Sequence, residues 1–542
     1  MRIEAVKKGR VIEAFVFLVI VTMFYTVIYG FSNMKSNLMF GGWAFAMVCL
    51  MVFRPFATWE RDRLCRVLSL TLFLGANILW VLLACGNNYH YDEAYTLGMI
   101  ARDWREIVEI TAQDVHSPFY YFALKLFCLL FGAKWLQLTK FFSLVLLDIA
   151  LLVGRSTVLK LYGEEVACFW MLFGCFAPSV MVQSTSPRMY SMGLLFVTLS
   201  GIYALACYRQ GGKKNWIAFT IFSVCGVYVH TFSMIELFFL YVFFLTVAFA
   251  RRDFKKGIAI LISGLVVCLC YLPWLIVLFH QFLRWTGAEA GWGNTLLPLS
   301  GGTVWTYLSE WFSALETPSV LQTLFGVGVF LFTGYFAIGY VKKTKDPIPV
   351  IGLGLATVVL LVAVWISLGI IPCFLGRYLF PLFGMIWLFM AVGMQTIREE
   401  WIKIGIALCI LLSGLGTFRS EKQLENSQGL QACKAFLEEY DSKTDAMMAD
   451  NYFLLMMSVY YPEERFFLYG PIQAFIPFGN VEGFTQWEQL GEAESVWYFR
   501  FAERRVGDLN ERYQMVETVP FHYSYYDIIV EHYVRKDLLE SE

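Results

Sequence analysis

Long apolar stretches separated by short polar ones run from near the amino terminus to about residue 418, and only beyond that point does the spacing change. Stretches close to the roughly twenty residues that cross a bilayer occur at 11–30, 38–53, 67–85, 135–153, 165–181, 190–208, 215–230, 231–250, 257–279, 320–340, 348–371, 378–397 and 401–418. Read as helices, they predict a polytopic α-helical membrane protein with about thirteen spans. The run Pro118–Gly132 is too short for a comfortable crossing. It is expected to lie on or dip into the outer face, capped by Ser117 with Pro118 in its first turn.

Charge decides the topology. If Pro118–Gly132 does not cross and Lys7, Lys8 and Arg10 are cytoplasmic, a single side receives nearly every basic loop. These carry Arg54/Arg61/Arg63/Arg66, Arg155/Lys160, Arg209/Lys213/Lys214, Arg251/Arg252/Lys255/Lys256, Lys342/Lys343/Lys345 and Arg398/Lys403. That is the arrangement the positive-inside rule asks for. The protein is therefore expected to be a multi-pass protein of the cell (plasma) membrane, with loops 86–134 and 280–319 outside. The first apolar run lacks a small-residue cleavage site, so it reads as a retained span rather than a signal peptide.

After residue 418 the texture becomes that of a water-soluble fold. Lys422–Tyr440, Tyr452–Tyr461 and Arg504–Tyr513 favour helix, and Asp445–Asp450, Arg465–Tyr469, Ser495–Phe501 and Tyr525–Tyr533 favour strand. The expected organisation is a membrane domain over 1–418 and a small extracytoplasmic α/β domain over 419–542.

Composition agrees: 58% of residues are hydrophobic and 16% charged, more apolar surface than one soluble core could bury. A net charge of −1, without an arginine-rich stripe, argues against nucleic acid as a partner. The thirteen cysteines have neither metal-ligand spacing nor a disulfide-like ladder. Those within apolar runs, such as Cys168, Cys175 and Cys268, read as small core residues.

Against this background the first large outer loop stands out. Tyr89-His90-Tyr91-Asp92-Glu93-Ala94-Tyr95 is followed by Asp114-Val115-His116-Ser117-Pro118-Phe119-Tyr120-Tyr121. Ionisable groups kept at a membrane face usually mark chemistry or transport. Asp92 could be an N-cap followed by a dipole-favourable Glu93, or a partly desolvated carboxylate tuned as a general base. Asp114 and His116 could face one way along an extended segment, or form an ordinary turn. The same parity puts Arg188 with Tyr190, His230 and Arg377 with Tyr378 on the outer face. Glu236 lies near the outer end of its span, whereas Asp148 falls nearer the inside and reads as structurally paired. His280, His522 and His532 read as interface or surface histidines.

An Asp-Glu pair in the first outer loop, Asp-x-His-Ser-Pro-Phe-Tyr-Tyr, and Ser-Pro-Arg-Met-Tyr opening a later span together resemble the GT-C glycosyltransferases. The similarity is to glycosyltransferase family 39, the protein O-mannosyltransferase and aminoarabinose transferase relatives, over about residues 67–400. The resemblance implies transfer of a sugar from a polyprenyl-phosphate donor to an acceptor outside the membrane, usually with inversion. It matches Asp92 to the family's catalytic Asp, and Glu93 to its acidic neighbour. Asp114 and His116 match its loop acid and histidine, and Arg188 its motif arginine. Ser186-Pro187 stands where Glu-Ala is common, and Ser117 replaces a proline.

Chemistry supports the same roles. An in-line displacement needs a carboxylate for the acceptor proton and a cation for the departing phosphate. Guanidinium grips phosphate in a fork that lysine does not copy. Arg188 and Arg377, with Tyr190 and Tyr378, are thus candidate phosphate-binding residues, each with the alternative of an interfacial snorkelling arginine. Asp114, His116 and His230 offer ligands for a divalent metal ion, or equally a hydrogen-bonded network around the donor. The acceptor, whether lipid, protein or glycan, is left open. A lipid-linked polysaccharide ligase or polymerase should carry arginine-rich outer loops, which are sparse here. A transporter should show repeated halves.

Overall fold

A computed structural model of the protein describes residues 60–86, 89–132, 137–286, 300–313, 320–370, 374–425, 429–449, 453–470, 476–490, 493–501, 509, 512–523 and 526–539. The chain divides into two compact units. One is built from residues up to Ala84 together with Lys140–Glu421, the other from Cys85–Thr139 together with Lys422–Glu542. The outer loop 86–134, grouped with the spans on sequence, thus belongs by its contacts with the carboxyl-terminal segment.

The first unit is helical. Among the described residues nine helices are long and apolar enough to cross a membrane: Arg61–Ala84, Leu138–Tyr162, Tyr190–Arg209, Thr231–Ala250, Phe254–Arg284, Val320–Thr344, Ile351–Leu368, Gly376–Thr396 and Glu400–Gln423. The protein is a polytopic α-helical membrane protein. The predicted spans 165–181 and 215–230 are helices of 13 and 15 residues, Glu164–Phe176 and Lys213–Val227. The former stops at Ala177 because Pro178 lacks the amide that would continue it, and a separate turn, Pro178–Gln183, follows. The predicted spans 11–30 and 38–53 lie outside the described residues.

Burial separates the centre of this unit from its rim. Tyr190–Arg209 is buried along most of its length, whereas Phe254–Arg284 is largely exposed, with Leu265, Leu269 and Ile276 turned outward. Cys168 and Cys175 are core residues as expected, whereas Cys268 is exposed on the outward helix. At Gly393 the Thr333 carbonyl occupies the space a side chain would need, so only glycine allows these helices to approach so closely.

The predicted basic loops meet at one end of the unit. Arg61 pairs with Glu165 and with Glu400 (3.1 Å), Lys403 with Glu165 (2.7 Å), and Glu164 with Arg66 (3.2 Å) and Arg155 (2.7 Å). Arg209 pairs with Asp346 and donates to the Leu161 carbonyl at 2.7 Å, and Arg251 donates to the Lys345 carbonyl at 3.0 Å. Asp148 accepts from the Asn77 amide at 3.0 Å, the structural pairing the sequence suggested.

The second unit contains a six-stranded sheet. Its strands are β1 (Asp445–Ala449), β2 (Phe466–Tyr469), β3 (Val481–Phe484), β4 (Ser495–Phe501), β5 (Tyr513–Tyr523) and β6 (Tyr526–Arg535), in the order β3-β2-β1-β4-β6-β5. β3, β2, β1 and β4 run parallel, and β6 and β5 complete the sheet antiparallel. Along β1, Ala446 and Met448 enter one core while Met447 and Ala449 enter the other, so both faces are covered. β3 and β5 were not expected. β3 is four residues long and contains Gly483, and β5 contains Pro520, which is tolerated because β5 is an edge strand. The predicted helix Arg504–Tyr513 falls mostly outside the described residues, and Tyr513 itself opens β5. His532 is packed rather than surface-exposed: its ring stacks on Trp497 at 3.9 Å, and burial lowers its pKa.

Candidate functional site

The predicted site residues fall into two sets, one in each unit. In the second unit, the helix Tyr91–Ala101 begins at His90, whose extended backbone makes it the N-cap. Asp92 therefore sits inside the first turn, not at the cap as the simplest structural reading had it. Helix N-terminal amides favour an ionised carboxylate there. Glu93, 7% exposed, accepts the His90 amide at 3.3 Å and lies 3.4 Å from the His90 imidazole. Reciprocal capping of this kind fixes where the helix starts, and hence where Asp92 stands.

Two residues from opposite ends of the loop then meet. Tyr95 donates to the Asp114 carboxylate at 3.3 Å, and its ring lies edge-on to Tyr121 at 6.4 Å. Asp114 ends the helix Trp104–Gln113, and His116 and Ser117 are buried beside it in sequence. The short apolar helix Phe119–Phe131 follows. Pro118, rather than the expected Ser117, holds the N-cap position, in helical backbone conformation.

The helix Tyr91–Ala101 is docked on the carboxyl-terminal segment. Ala94 is part of the sheet's core with Met447, Ala449 and Phe499. The Tyr89 amide donates to the Tyr460 hydroxyl at 3.2 Å, and Arg102 Nε to the Pro477 carbonyl at 2.6 Å.

In the first unit, Tyr190, His230, Arg377 and Tyr378 form one cluster. The His230 ring is 4.8 Å from Tyr378 and 6.3 Å from Tyr190, and the Arg377 guanidinium lies over Tyr190 at 5.9 Å. Arg188 is 5% exposed, two residues before Tyr190, in a segment held by the Ser143 hydroxyl on the Ser186 carbonyl at 2.5 Å. His230 caps the helix Thr231–Ala250, its Nδ1 accepting the Phe232 amide at 3.1 Å. Burial, then the charges of Arg188 and Arg377, push the imidazole down to about 3, so His230 is a neutral acceptor beside two guanidinium groups. Glu236 is fully buried on the same helix. Among the described residues no group of three or more His, Cys, Asp or Glu side chains is arranged to hold a metal ion.

Sequence reasoning missed two features. An apolar cavity of about 300 Å³ is lined by residues that include Trp311, Phe325, Phe330, Leu379, Phe383 and Trp387. Leu379 is two positions from Arg377, so cavity and cluster adjoin. Glu310 is the second: its carboxylate accepts the Arg377 amide at 3.1 Å, and the adjacent Trp311 indole donates to the Gly376 carbonyl at 2.8 Å. Only the lone acid in an otherwise uncharged amphipathic helix, Gly301–Phe312, hinted at it.

No family model matches the chain, and no curated protein does. Among solved structures, ArnT from Cupriavidus metallidurans matches in its apo state with a TM-score of 0.61 over 85% of this chain and 97% of that one, at 10% identity. The same protein bound to undecaprenyl phosphate matches equally well, at 11% identity. The fold is that of ArnT. The expected architecture, a polytopic helical bundle accompanied by a small terminal α/β segment, is thereby borne out as a fold. Beside the ArnT match, the Archaeoglobus fulgidus oligosaccharyltransferase in complex with zinc and sulfate gives a TM-score of 0.43 at 14% identity, covering 70% of this chain and 60% of that one.

Proposed function

We propose that the protein is an integral-membrane glycosyltransferase that moves a sugar from a polyprenyl-phosphate donor to an extracytoplasmic lipid, protein or glycan acceptor, with inversion. The observation that carries this reading is the adjacency, within one unit, of a buried arginine and aromatic cluster to an apolar cavity. A polyprenyl phosphate has that anatomy: an anionic head on a hydrocarbon chain. The ArnT fold adds weight, since ArnT itself has been crystallised with undecaprenyl phosphate.

In this reading Arg188 and Arg377 hold the donor phosphate, Tyr190 and Tyr378 wall the sugar side, and neutral His230, whose Nδ1 already accepts the Phe232 amide, donates its Nε2–H to the donor or its neighbours. Asp92 takes the proton of the acceptor hydroxyl as that oxygen bonds to the anomeric carbon. The bond from that carbon to the phosphate oxygen breaks, and polyprenyl phosphate leaves carrying the electron pair. Glu93 holds Asp92 in register, and Asp114 and His116 flank the acceptor path. No step is routed through a metal ion.

The test is sugar transfer in membranes supplied with a polyprenyl-phosphate sugar, together with mass spectrometry of envelope glycans in cells lacking the protein. Asp92→Asn is expected to lower turnover by about 10²–10⁴-fold, the usual worth of a general base, with normal expression and unfolding temperature. Unchanged transfer by that variant would remove Asp92 as the base. Unchanged envelope glycans in the deletion would count against the enzyme reading itself.

A further inference from the structure

Glu310 has no part in the reaction as written, yet it stands half-buried beside Arg377. It is the only charged residue of the helix Gly301–Phe312, and its two successors are committed elsewhere: Trp311 and Phe312 both line the apolar cavity. Its carboxylate takes the Arg377 amide at 3.1 Å and lies within the field of the Arg377 charge. Among the described residues, the elements with the most extensive packing on this helix are Pro178–Gln183, Val320–Thr344 and Gly376–Leu382. Pro178–Gln183 brings no charge, and Val320–Thr344 brings Tyr335, Tyr340, Lys342 and Lys343, all in the half away from its Gly326 contact with Phe312. Gly376–Leu382 brings Arg377 and Tyr378. Arg377 is therefore the cation that faces Glu310.

A carboxylate beside a phosphate-binding arginine works against binding, and its effect depends on how much charge the phosphate carries. Resting on the donor-site reading, the two lipids of the reaction differ in that respect. The sugar donor is a phosphodiester with one negative charge at any neutral pH. The spent carrier is a monoester, and a monoester's second ionisation near pH 6 gives it close to two charges at pH 7.

We propose that Glu310 is a charge filter at Arg377, a specificity-determining residue that favours the phosphodiester donor over the phosphate monoester product and so hastens product release. Desolvation pushes the Glu310 carboxyl up to about 7 against the opposing pull of Arg377. The sign follows: below that pH the group is neutral and the filter is off, and above it the group is ionised and the filter is on.

The experiment measures binding of undecaprenyl phosphate and of its methyl ester to the purified full-length protein in detergent, between pH 6 and 8. In the wild type the monoester is expected to bind progressively worse relative to the diester as pH rises through 7. Glu310→Gln should tighten monoester binding by roughly tenfold at pH 8, the size of one extra like charge at several ångströms in a partly screened site, and leave the diester within a few-fold. Glu310→Asp should keep the wild-type ratio. Glu310→Ser provides a second neutral variant should Gln lower the unfolding temperature. A monoester-to-diester ratio in the neutral variants that follows the wild-type pH profile, or monoester binding that weakens, overturns the filter. Arg377→Ala separates the two levels. If it leaves both lipids bound as before, the donor-site reading falls and the filter with it; if it weakens both while Glu310→Gln behaves as wild type, only the filter falls.

Discussion

Asp92 and Glu93 are neighbours with the same chemistry, and their surroundings give them different work. Glu93 is buried and spends its carboxylate on the His90 amide, whereas Asp92 stands partly exposed in the first helical turn. Glu93→Gln keeps an acceptor for that amide and is expected to retain transfer within a few-fold. Glu93→Ala loses it, costing about 1 kcal/mol of local stability and lowering turnover through misplacement of Asp92. The transfer assay with each variant decides it: a Gln variant as inactive as Asp92→Asn would make Glu93 a chemical participant. At this scale the grouping of Tyr190, Arg377 and Tyr378 was legible, because these residues stand in local strings whose polarity is abnormal beside an apolar run. Glu310 was not, because its importance comes from Arg377, which is 67 positions away. Nor did the sequence reveal that His90 rather than Asp92 would cap the helix, since capping depends on one residue's backbone angles.

Among the elements, the helix Tyr91–Ala101 depends most on what it leans against. A Cβ at Gly98 would lie 2.7 Å from the Phe478 ring and 3.0 Å from Pro477, so the helix face there is bare because the carboxyl-terminal segment fills the space. Gly98→Val is expected to push the helix off this seat, costing about 1–3 kcal/mol as overpacking does, and to depress sugar transfer with it. Phe478→Ala should open the space, so that the double variant recovers transfer toward the level of Phe478→Ala alone. Additive losses in that cycle would deny the contact its role in holding the helix. The helices were legible in the sequence because their signal is long and periodic. The sheet was half legible: β2, β4 and β6 carry β-branched and aromatic runs, and β1 is a short apolar run, Ala446–Ala449. β3 is too short to announce itself, and the proline of β5 is excused only by its edge position, which is a property of the whole sheet.

The direction of several helices of the first unit follows from its ionic end. Arg61 and Arg66 open the helix Arg61–Ala84 at the same end of the first unit where Arg155 and Leu161 close Leu138–Tyr162, where Glu164 opens the next helix and where Glu400 and Lys403 open Glu400–Glu425. Ala84 and the amino-terminal part of Leu138–Tyr162 then both lie toward the opposite end of the first unit. If this end is a structural lock, its residues should affect stability without touching chemistry. Lys403, its side chain 5% exposed, sits 2.7 Å from Glu165, which also holds Arg61. Removing one partner of such a buried pair typically costs about 3–5 kcal/mol because the other charge is left uncompensated. Lys403→Met is expected to lower the unfolding temperature in detergent and leave turnover at low temperature near wild type. Adding Glu165→Gln should restore part of the loss, because it removes the carboxylate that Lys403→Met leaves under-neutralised. A variant of full stability would mean that water and Arg61 alone neutralise Glu165. One that is stable but inactive would tie this end to the reaction, which the charge pattern gives no reason to expect.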